Sequence, residues 1–242
     1  MRLLFISDLH LSEQRPDLTR ALLNFLREDA AHCDQLYLLG DIFDAWIGDD
    51  FAQPSFLPLI KAFNQLSASG TRIFFQHGNR DFLLGKNFAN QISATLLPEQ
   101  VVIDLPDNQK ALIMHGDQLC IDDTEYHAFR KMVRNPTWQS EFLAKPIEER
   151  LAIASQLRAA SKEKTAEKAL DIMDVNAQSV QKVMNDTDCN LLIHGHTHRP
   201  AIHKHQRTNS TGTRIVLGDW DQNLWYLECS ESGCDLHHRS IE

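Results

Sequence analysis

The sequence lacks a long apolar run. No segment approaches the roughly 20 consecutive apolar residues that a helix needs to cross a bilayer, although 43% of the 242 residues are hydrophobic. The short run Leu3–Ile6 is followed at once by Asp8 and His10, so it does not resemble the apolar centre of a secretory signal peptide. These features argue against an integral membrane protein and leave a peripheral membrane contact open.

Cysteine is scarce and scattered. The five cysteines are odd in number and none forms a Cys-x-x-Cys pair, which argues against a structural zinc site. Cys229 and Cys234 are close in sequence, but nothing in their spacing argues for a disulfide bond. A reducing cytoplasm is therefore the simplest predicted location.

Basic residues are not in excess. The net charge of -9 argues against a general surface for nucleic acids or other polyanions. Internal repeats and low-complexity linkers are also lacking, and the length fits one sizeable domain with an insertion. The composition therefore indicates a globular protein without nucleic acid, and no obligate protein partner is predicted.

What the sequence does contain is five short apolar runs with the same layout. Each run ends on Asp, Asn or His beside a small residue. In chain order these polar side chains are Asp8 and His10, Asp41, Asn79, His115, and His196 with His198. Continuous apolar runs are typical of strands buried on both faces, as in a sheet covered by helices. Because sites in open α/β sheets form at the carboxyl ends of strands, we predict an α/β fold whose site gathers these residues.

The seven side chains have the chemistry of metal ligands. An isolated His-x-His pair is more often a solvated turn, but three oxygen donors and four imidazoles are too many for one tetrahedral ion. They suit two ions with a bridging carboxylate, and Asp41 is the predicted bridge. A nitrogen and oxygen set without thiolate favours Mn²⁺, Fe or Zn²⁺. The predicted reaction is hydrolysis of a phosphate ester or anhydride by metal-activated water.

A different pattern separates the fourth run from the fifth. Residues 124–170 read as helices with breaks near Pro136 and Pro146, and they carry nine basic against six acidic side chains. Four residues in this stretch are spaced to share one helix face, which by itself also fits a solvated surface: Arg158, Ser161, Thr165 and Lys168. We predict a helical insertion at 124–170 in a core formed by 1–123 and 171–242.

The ordered motifs Asp-x-His, Gly-Asp, Gly-Asn-Arg-Asp, His-Gly-Asp and Gly-His-Thr-His resemble the calcineurin-like metallophosphoesterase superfamily. The resemblance implies a β-sandwich core flanked by helices, with residues 124–170 as an inserted helical cap. It implies that one ion takes Asp8, His10, Asp41 and His198, and that the other takes Asp41, Asn79, His115 and His196. His194 is not a ligand in that pattern.

A closer resemblance covers nearly the whole chain. The motifs at residues 46–50, 77–85, 113–117, 120–123, 172–176 and 194–200 are similar to those of the family that hydrolyses UDP-2,3-diacylglucosamine in lipid A biosynthesis. This resemblance implies attack on the α-phosphorus of that acylated UDP-sugar, which releases UMP and 2,3-diacylglucosamine 1-phosphate. It also implies two Mn²⁺ ions per chain and peripheral attachment to the anionic cytoplasmic face of the inner membrane.

The family pattern also implies roles for individual side chains. The catalytic residues would be Asp41, Asn79, Arg80 and His115. Substrate contacts would come from Asn79, Arg80, Asp123, Ser161, Thr165, Lys168 and His196. Arg80 stands where many superfamily members have a histidine that protonates an alkoxide, but a sugar phosphate has a second pKa of about 6 and needs no such acid. A guanidinium suits a spectator phosphate, whereas the alternative is that Arg80 only pairs with Asp81.

The insertion and its surroundings supply apolar and basic side chains. Trp46, Phe82, Tyr126, Phe129, Met132, Phe142 and Leu143 are available to line a chamber for acyl chains. Arg130, Lys131, Arg134 and Arg150 are candidates for contact with anionic headgroups. Ordinary packing or a solvated surface is the alternative for each of them. Two other functions stay open, namely a hydrolase of cyclic nucleotides or soluble phosphodiesters and a scaffold without metals.

Overall fold

The computed structural model describes residues 1–51, 54–167, 174–206 and 211–241. The strands are β1 (Leu3–Ile6), β2 (Gln35–Leu39), β3 (Arg72–Gln76), β4 (Ala94–Leu96), β5 (Gln100–Asp104), β6 (Lys110–Met114), β7 (Leu191–His194), β8 (Ala201–Gln206), β9 (Thr211–Val216), β10 (Asn223–Ser230) and β11 (Gly233–Ser240). The α-helices are α1 (Pro16–Glu28), α2 (Leu57–Ala68), α3 (Lys86–Gln91), α4 (Thr124–Val133), α5 (Pro136–Leu143), α6 (Ile147–Glu167) and α7 (Ala177–Asp186), and 3-10 turns lie at Pro54–Phe56 and Asp117–Leu119.

The strands form two sheets that face each other. The six-stranded sheet has the order β11-β10-β1-β2-β3-β4, and the five-stranded sheet has the order β5-β6-β7-β9-β8. Successive side chains of a strand point to opposite faces, so Leu3 and Phe5 pack against Ile193 between the sheets. Leu4 and Ile6 belong instead to the core beneath the helices. The predicted α/β sandwich flanked by helices is confirmed, and its two core layers explain why whole strands are apolar.

Helix α1 shows how the sequence pattern covers a sheet. Its residues Leu18, Leu22, Phe25 and Leu26 are buried, as their helical spacing predicts. Pro16 lies in the first turn, where a missing N–H leaves no hydrogen bond unmade. The apolar stripe therefore joins the core on the outer face of the six-stranded sheet, to which α2 also contributes.

Parallel pairing brings the polar strand ends to one edge. Strands β1, β2 and β3 are parallel neighbours in one sheet, and β6, β7 and β9 are parallel neighbours in the other. Backbone hydrogen bonds join the loops that follow them, from Asp8 N to Gly40 O (3.1 Å) and from Gly195 N to His115 O (2.8 Å). The five polar motifs therefore meet where the two sheets face each other.

Helices α4 to α6 lie in the predicted insertion, and they are separated where prolines were expected to break the chain. Pro136 starts α5, and Pro146 directly precedes α6. Arg150 of α6 is buried, donates to Ile47 O (2.6 Å) and pairs with Asp50. These contacts connect α6 to the loop after β2, while the boundaries of the insertion stay a prediction and residues 168–170 lie outside the described part.

Two further features concern the cysteines and the membrane. Cys229 and Cys234 form a disulfide bond, although their spacing offered no argument for one. They are directly opposite each other in the β10–β11 hairpin, a register that only strand pairing creates. None of the described helices combines the length and the apolar character that a bilayer span requires.

Candidate metal centre

The seven predicted ligands lie together at the shared sheet edge. Ligand atoms of Asp8, His10 and His198 lie within 4.8 Å of one another, and so do those of Asp8, Asp41 and His115. Asn79 joins the remaining imidazoles, because its Oδ1 lies 3.0 Å from His115 Nε2 and 2.9 Å from His196 Nδ1. Asp8 belongs to both clusters, so the two groups of side chains form one site.

The backbone of this site is strained in a specific way. Eight described non-glycine residues have positive φ, and five of them are predicted ligands. These five are Asp8 (57°), His10 (49°), Asp41 (54°), His196 (68°) and His198 (55°). Such φ values are unfavourable for residues with a Cβ and concentrate at functional sites, where the surrounding structure holds them. The positive φ changes the direction of the backbone shortly after the strand ends, so the side chain of each of these residues points into the site.

The loop around His196 is a γ-turn held from behind by a buried arginine. Thr197 N donates to Gly195 O over 2.8 Å, which makes His196 the central residue of a turn type that is rare and strained. Gly195 O also accepts from His194 Nδ1 (2.8 Å), so His194 Nε2 accepts from buried Arg214 (3.2 Å). Burial and the Arg214 charge lower the pKa of His194 to about 3, so its ring is neutral.

Glycine is required where the loops meet carboxylates. A Cβ on Gly195 would lie 2.2 Å from Asp8 Oδ2 and 2.2 Å from Ser7 Oγ. A Cβ on Gly78 would lie 2.1 Å from Asp41 Oδ1. Both distances are far below ordinary contact, so the missing side chains create room for the two buried acids.

The arrangement fits a bound cation. Asp8 Oδ2 accepts from Ser7 Oγ (2.6 Å) and His196 N (2.9 Å), but Asp8 Oδ1 is buried without a hydrogen-bond partner. His10 Nε2 lies 3.2 Å from His198 Nε2. Nitrogen ligands about 2.0–2.1 Å from one ion lie roughly 3 Å apart, so this pair suits a common metal. An unpartnered buried carboxylate oxygen beside it supplies the matching negative charge.

The protonation behaviour of the ligands supports the same conclusion. Burial raises the pKa of Asp41 to about 7 and lowers the pKa of both His10 and His196 to about 4. Burial also lowers the pKa of His198, but its contact with Asp8 raises it more, to about 9. The neutral imidazoles of His10 and His196 can bind a cation directly, whereas an ion that binds His198 would displace the proton that Asp8 stabilises there.

Three further carboxylates lie at the site, although they were not among the predicted site residues. Asp81 accepts from Gly78 N (2.8 Å) and Ile42 N (2.9 Å), so it connects two ligand loops. Asp117 accepts from Tyr126 Oη (2.8 Å), and its position inside the His-Gly-Asp motif was the available signal. Asp219 Oδ2 lies 3.5 Å from His198 Nδ1, where carboxylates commonly orient a metal-ligating histidine. No sequence pattern singles out Asp219.

An apolar cavity opens beside the ligands. Asn79 and Arg80 contribute to its lining, together with five of the seven predicted chamber residues: Trp46, Phe82, Tyr126, Phe129 and Phe142. Met132 and Leu143 are exposed instead, and the prediction was wrong for those two. Both carboxylate oxygens of Asp81 accept hydrogen bonds from backbone N–H groups. The Arg80 guanidinium does not pair with Asp81, and it has no hydrogen bond or ion pair with the other described residues. Arg80 is therefore available to a ligand.

Of the predicted substrate residues outside the cavity and the ligand cluster, Asp123 has a described side chain. Asp123 Oδ1 accepts from Tyr126 N (3.0 Å) and caps α4. Ser161 and Thr165 belong to α6, but their side chains are outside the described part, as is all of Lys168.

The basic residues of the insertion are mostly engaged with the protein. Arg150 is buried against Asp50, so the expected headgroup contact was wrong for that residue. Arg130 and Arg134 are largely buried and pair with Glu99. Lys131 is exposed.

Comparison with known proteins agrees with this geometry. The family model "Calcineurin-like phosphoesterase" matches residues 1–200, and the chain belongs to that family. It is 49% identical to the UDP-2,3-diacylglucosamine hydrolase of Cellvibrio japonicus over 100% of both chains. The hydrolase of that name from Chromohalobacter salexigens is 50% identical over 91% of this chain and 89% of its own. The one from Marinobacter nauticus is 47% identical over 96% and 95%. Within the phosphoesterases, the chain is a member of the family of these relatives.

Proposed function

We propose that this protein hydrolyses the pyrophosphate of UDP-2,3-diacylglucosamine. Water attacks the α-phosphorus, and the products are UMP and 2,3-diacylglucosamine 1-phosphate (lipid X), an intermediate of lipid A biosynthesis. Full-length similarity to hydrolases named for this substrate supports the reaction. The observation that carries the proposal is that a partly buried cluster of side chains with metal-ligand chemistry adjoins an apolar cavity, with Asn79 and Arg80 in its lining.

Two Mn²⁺ ions per chain are the proposed cofactors. A set of imidazole and oxygen donors without thiolate is compatible with Mn²⁺. Asp8, His10, Asp41 and His198 would hold one ion, and Asp41, Asn79, His115 and His196 would hold the other. When bound, two such ions supply Lewis-acid activation of the phosphoryl group and of the attacking water.

The protein's own groups orient this reaction. His115 Nδ1 donates to Leu39 O (2.9 Å), which leaves its Nε2 facing the site. The backbone N of Arg80 donates to Asp41 Oδ1 (2.7 Å), so this hydrogen bond fixes the position of the Asp41 carboxylate relative to the backbone of Arg80. The Arg80 guanidinium binds the departing sugar phosphate, and no general acid is needed because that phosphate is a stable anion near neutral pH.

The insertion recognises the lipid part of the substrate. The apolar cavity between the core and helices α4 to α6 holds acyl chains, since its lining is mostly aromatic and aliphatic. Asp123, Ser161, Thr165 and Lys168 contact the polar glucosamine and phosphate groups. Residues 124–170 thus act as a cap on a core formed by 1–123 and 171–242.

A membrane-bound substrate calls for a membrane-facing surface. We place the protein at the cytoplasmic side of the inner membrane as a peripheral protein. Exposed Met132 and Leu143 and exposed Lys131 support contact through the cap, because apolar and basic side chains together favour an anionic lipid surface.

The test is to incubate the purified chain with UDP-2,3-diacylglucosamine and Mn²⁺ and to measure UMP by chromatography. Asp41→Ala should abolish Mn²⁺-dependent UMP release while circular dichroism stays near that of the wild type. Asp235→Ala, which removes an exposed carboxylate on β11, is the matched control and should keep full activity. Deacylated UDP-glucosamine should turn over far more slowly than the diacylated substrate. Activity that survives both chelation and Asp41→Ala would overturn the two-metal proposal.

A further inference from the structure

A second cavity, of about 230 Å³, lies beside the apolar one. The two share a wall formed by Asp44, Ala45 and Ile47 of the loop after β2 and by Ala154 and Arg158 of α6. An ion pair between Arg158 and Asp44 closes this wall. Two neighbouring compartments of different character therefore meet at one loop of the site.

The second cavity lies next to the chain segment that carries a predicted ligand. Its lining includes Leu11, Ser12, Glu13 and Gln14, which follow the predicted ligand His10 directly in the chain. Leu11 makes backbone hydrogen bonds of 2.9 and 3.1 Å to the loop after β2, so this segment has a fixed position. Within the described ranges, the side chains of Ser12, Glu13 and Gln14 have no hydrogen bond or ion pair. Their polar groups are free for a ligand.

We infer that this second cavity, which we call the nucleoside cavity, binds the uridine part of the substrate; the inference rests on the proposed function. The substrate has two ends of opposite character joined by a pyrophosphate. When the pyrophosphate lies between the metal ligands and Arg80, the acyl chains enter the apolar cavity. The polar nucleoside then needs a polar compartment near the predicted metal ligands, and the nucleoside cavity is lined by Leu11 to Gln14, which directly follow His10.

The lining groups match a pyrimidine nucleoside. Uracil presents one N–H donor and two carbonyl acceptors in its base plane. The Gln14 carboxamide offers both a donor and an acceptor, and the Ser12 hydroxyl can act as either. The Glu13 carboxylate can accept a ribose hydroxyl, as acidic residues do in dinucleotide sites. Phe51 also lines the cavity and provides an aromatic face for base stacking.

The charge of the nucleoside cavity favours a neutral ligand. Glu13 adds a negative charge to the lining, and the positive charge of Arg158 is balanced by Asp44. A phosphate group would be repelled here, whereas uridine is uncharged near neutral pH. The cavity therefore suits the nucleoside and leaves the phosphates to the metal ligands and Arg80.

The test compares UMP with ribose 5-phosphate, which has the same ribose phosphate but no uracil. Dissociation constants are measured by titration calorimetry on the Mn²⁺-loaded protein. The wild type should bind UMP at least about tenfold more tightly, as expected for one or two hydrogen bonds plus stacking. The double variant Ser12→Ala/Gln14→Ala should lose this preference and keep the wild-type affinity for ribose 5-phosphate. Gln178→Ala on α7 is the matched control and should retain the preference.

Equal affinities of the wild type for the two ligands, or a preference that persists in the double variant, would overturn the inference. Cleavage of UDP-2,3-diacylglucosamine is assayed in parallel. A wild type that cleaves this substrate but shows no uracil preference disproves the nucleoside cavity and leaves the proposed function intact. A wild type that does not cleave it, but shows a uracil preference that the double variant loses, disproves the proposed function and supports the cavity as a uridine site.

Discussion

Replacing Gly195 with alanine tests whether the loop of His196 must approach the Asp8 carboxylate. The backbone at Gly195 is outside the left-handed region, so an alanine brings no φ strain of its own. Its Cβ would nevertheless lie 2.2 Å from Asp8 Oδ2 and 2.2 Å from Ser7 Oγ, where ordinary contacts begin at 3.4 Å. Either the loop or the carboxylate must therefore move by about 1 Å.

The size of the effect follows from the bonds that such a movement breaks. Asp8 Oδ2 accepts from Ser7 Oγ (2.6 Å) and from His196 N (2.9 Å). A hydrogen bond to a charged group contributes about 1.5–3 kcal/mol, so losing one lowers metal affinity by roughly 10- to 150-fold. We expect Mn²⁺ affinity and kcat/KM of Gly195→Ala to fall by about 100-fold.

The assay is Mn²⁺ binding by equilibrium dialysis, with kcat/KM and circular dichroism measured on the same preparation. Gly70→Ala is the matched control, because a Cβ there meets no atom within 4 Å although φ is +109°. It should cost about 1–2 kcal/mol of unfolding free energy through backbone strain and leave Mn²⁺ affinity unchanged. If Gly195→Ala bound Mn²⁺ with wild-type affinity, the reasoning would be refuted. Displacement of the Asp8 carboxylate by the added methyl group would then have no effect on metal binding.

Three further substitutions test other contacts. Arg150→Met leaves the buried Ile47 carbonyl without its donor, so the unfolding free energy measured in urea should fall by about 1–3 kcal/mol. Lys145→Met is the control, because it removes only an exposed ion pair and should change the unfolding free energy by less than about 0.5 kcal/mol. Cys234→Ser should lower the unfolding free energy in urea by about 2 kcal/mol, as expected for a bridge with a sequence separation of 5; an unfolding free energy equal to that of the oxidised wild type would contradict this. Arg214→Met removes the donor behind the γ-turn and should weaken Mn²⁺ binding about tenfold in dialysis, with partial rescue by lysine; unchanged binding would show that the turn holds without it.

Much of the candidate site was predictable because its signals are local. An apolar strand that ends on Asp, Asn or His beside a small residue can be read within ten residues, and five such segments contain the seven side chains that the fold brings together. The helical spacing of Leu18, Leu22 and Phe25 likewise predicted which face of α1 is buried. Within one helix or strand the backbone geometry fixes which side chains share a face, so a local spacing pattern directly predicts the buried face.

The features that could not be predicted depend on contacts between distant segments. Arg150 reads as a solvated basic residue, yet α6 buries it against the loop after β2. Asp219 faces His198 only because the loop after β9 lies beside the one after β7. Met132 and Leu143 are as apolar as the residues that line the cavity, and the orientation of their helices leaves them exposed.

The sequence by itself determined the five apolar strands that precede the polar motifs and the chemistry of the predicted metal ligands, because each of these follows from side-chain type and spacing along one stretch of chain. The tertiary structure decided which carboxylates lie behind the ligands, where a disulfide closes, and how helix α6 divides the space beside the site into an apolar and a polar cavity. These features depend on the relative placement of sheets and helices. That placement arises from the packing of the whole core and cannot be inferred from any one segment of the sequence.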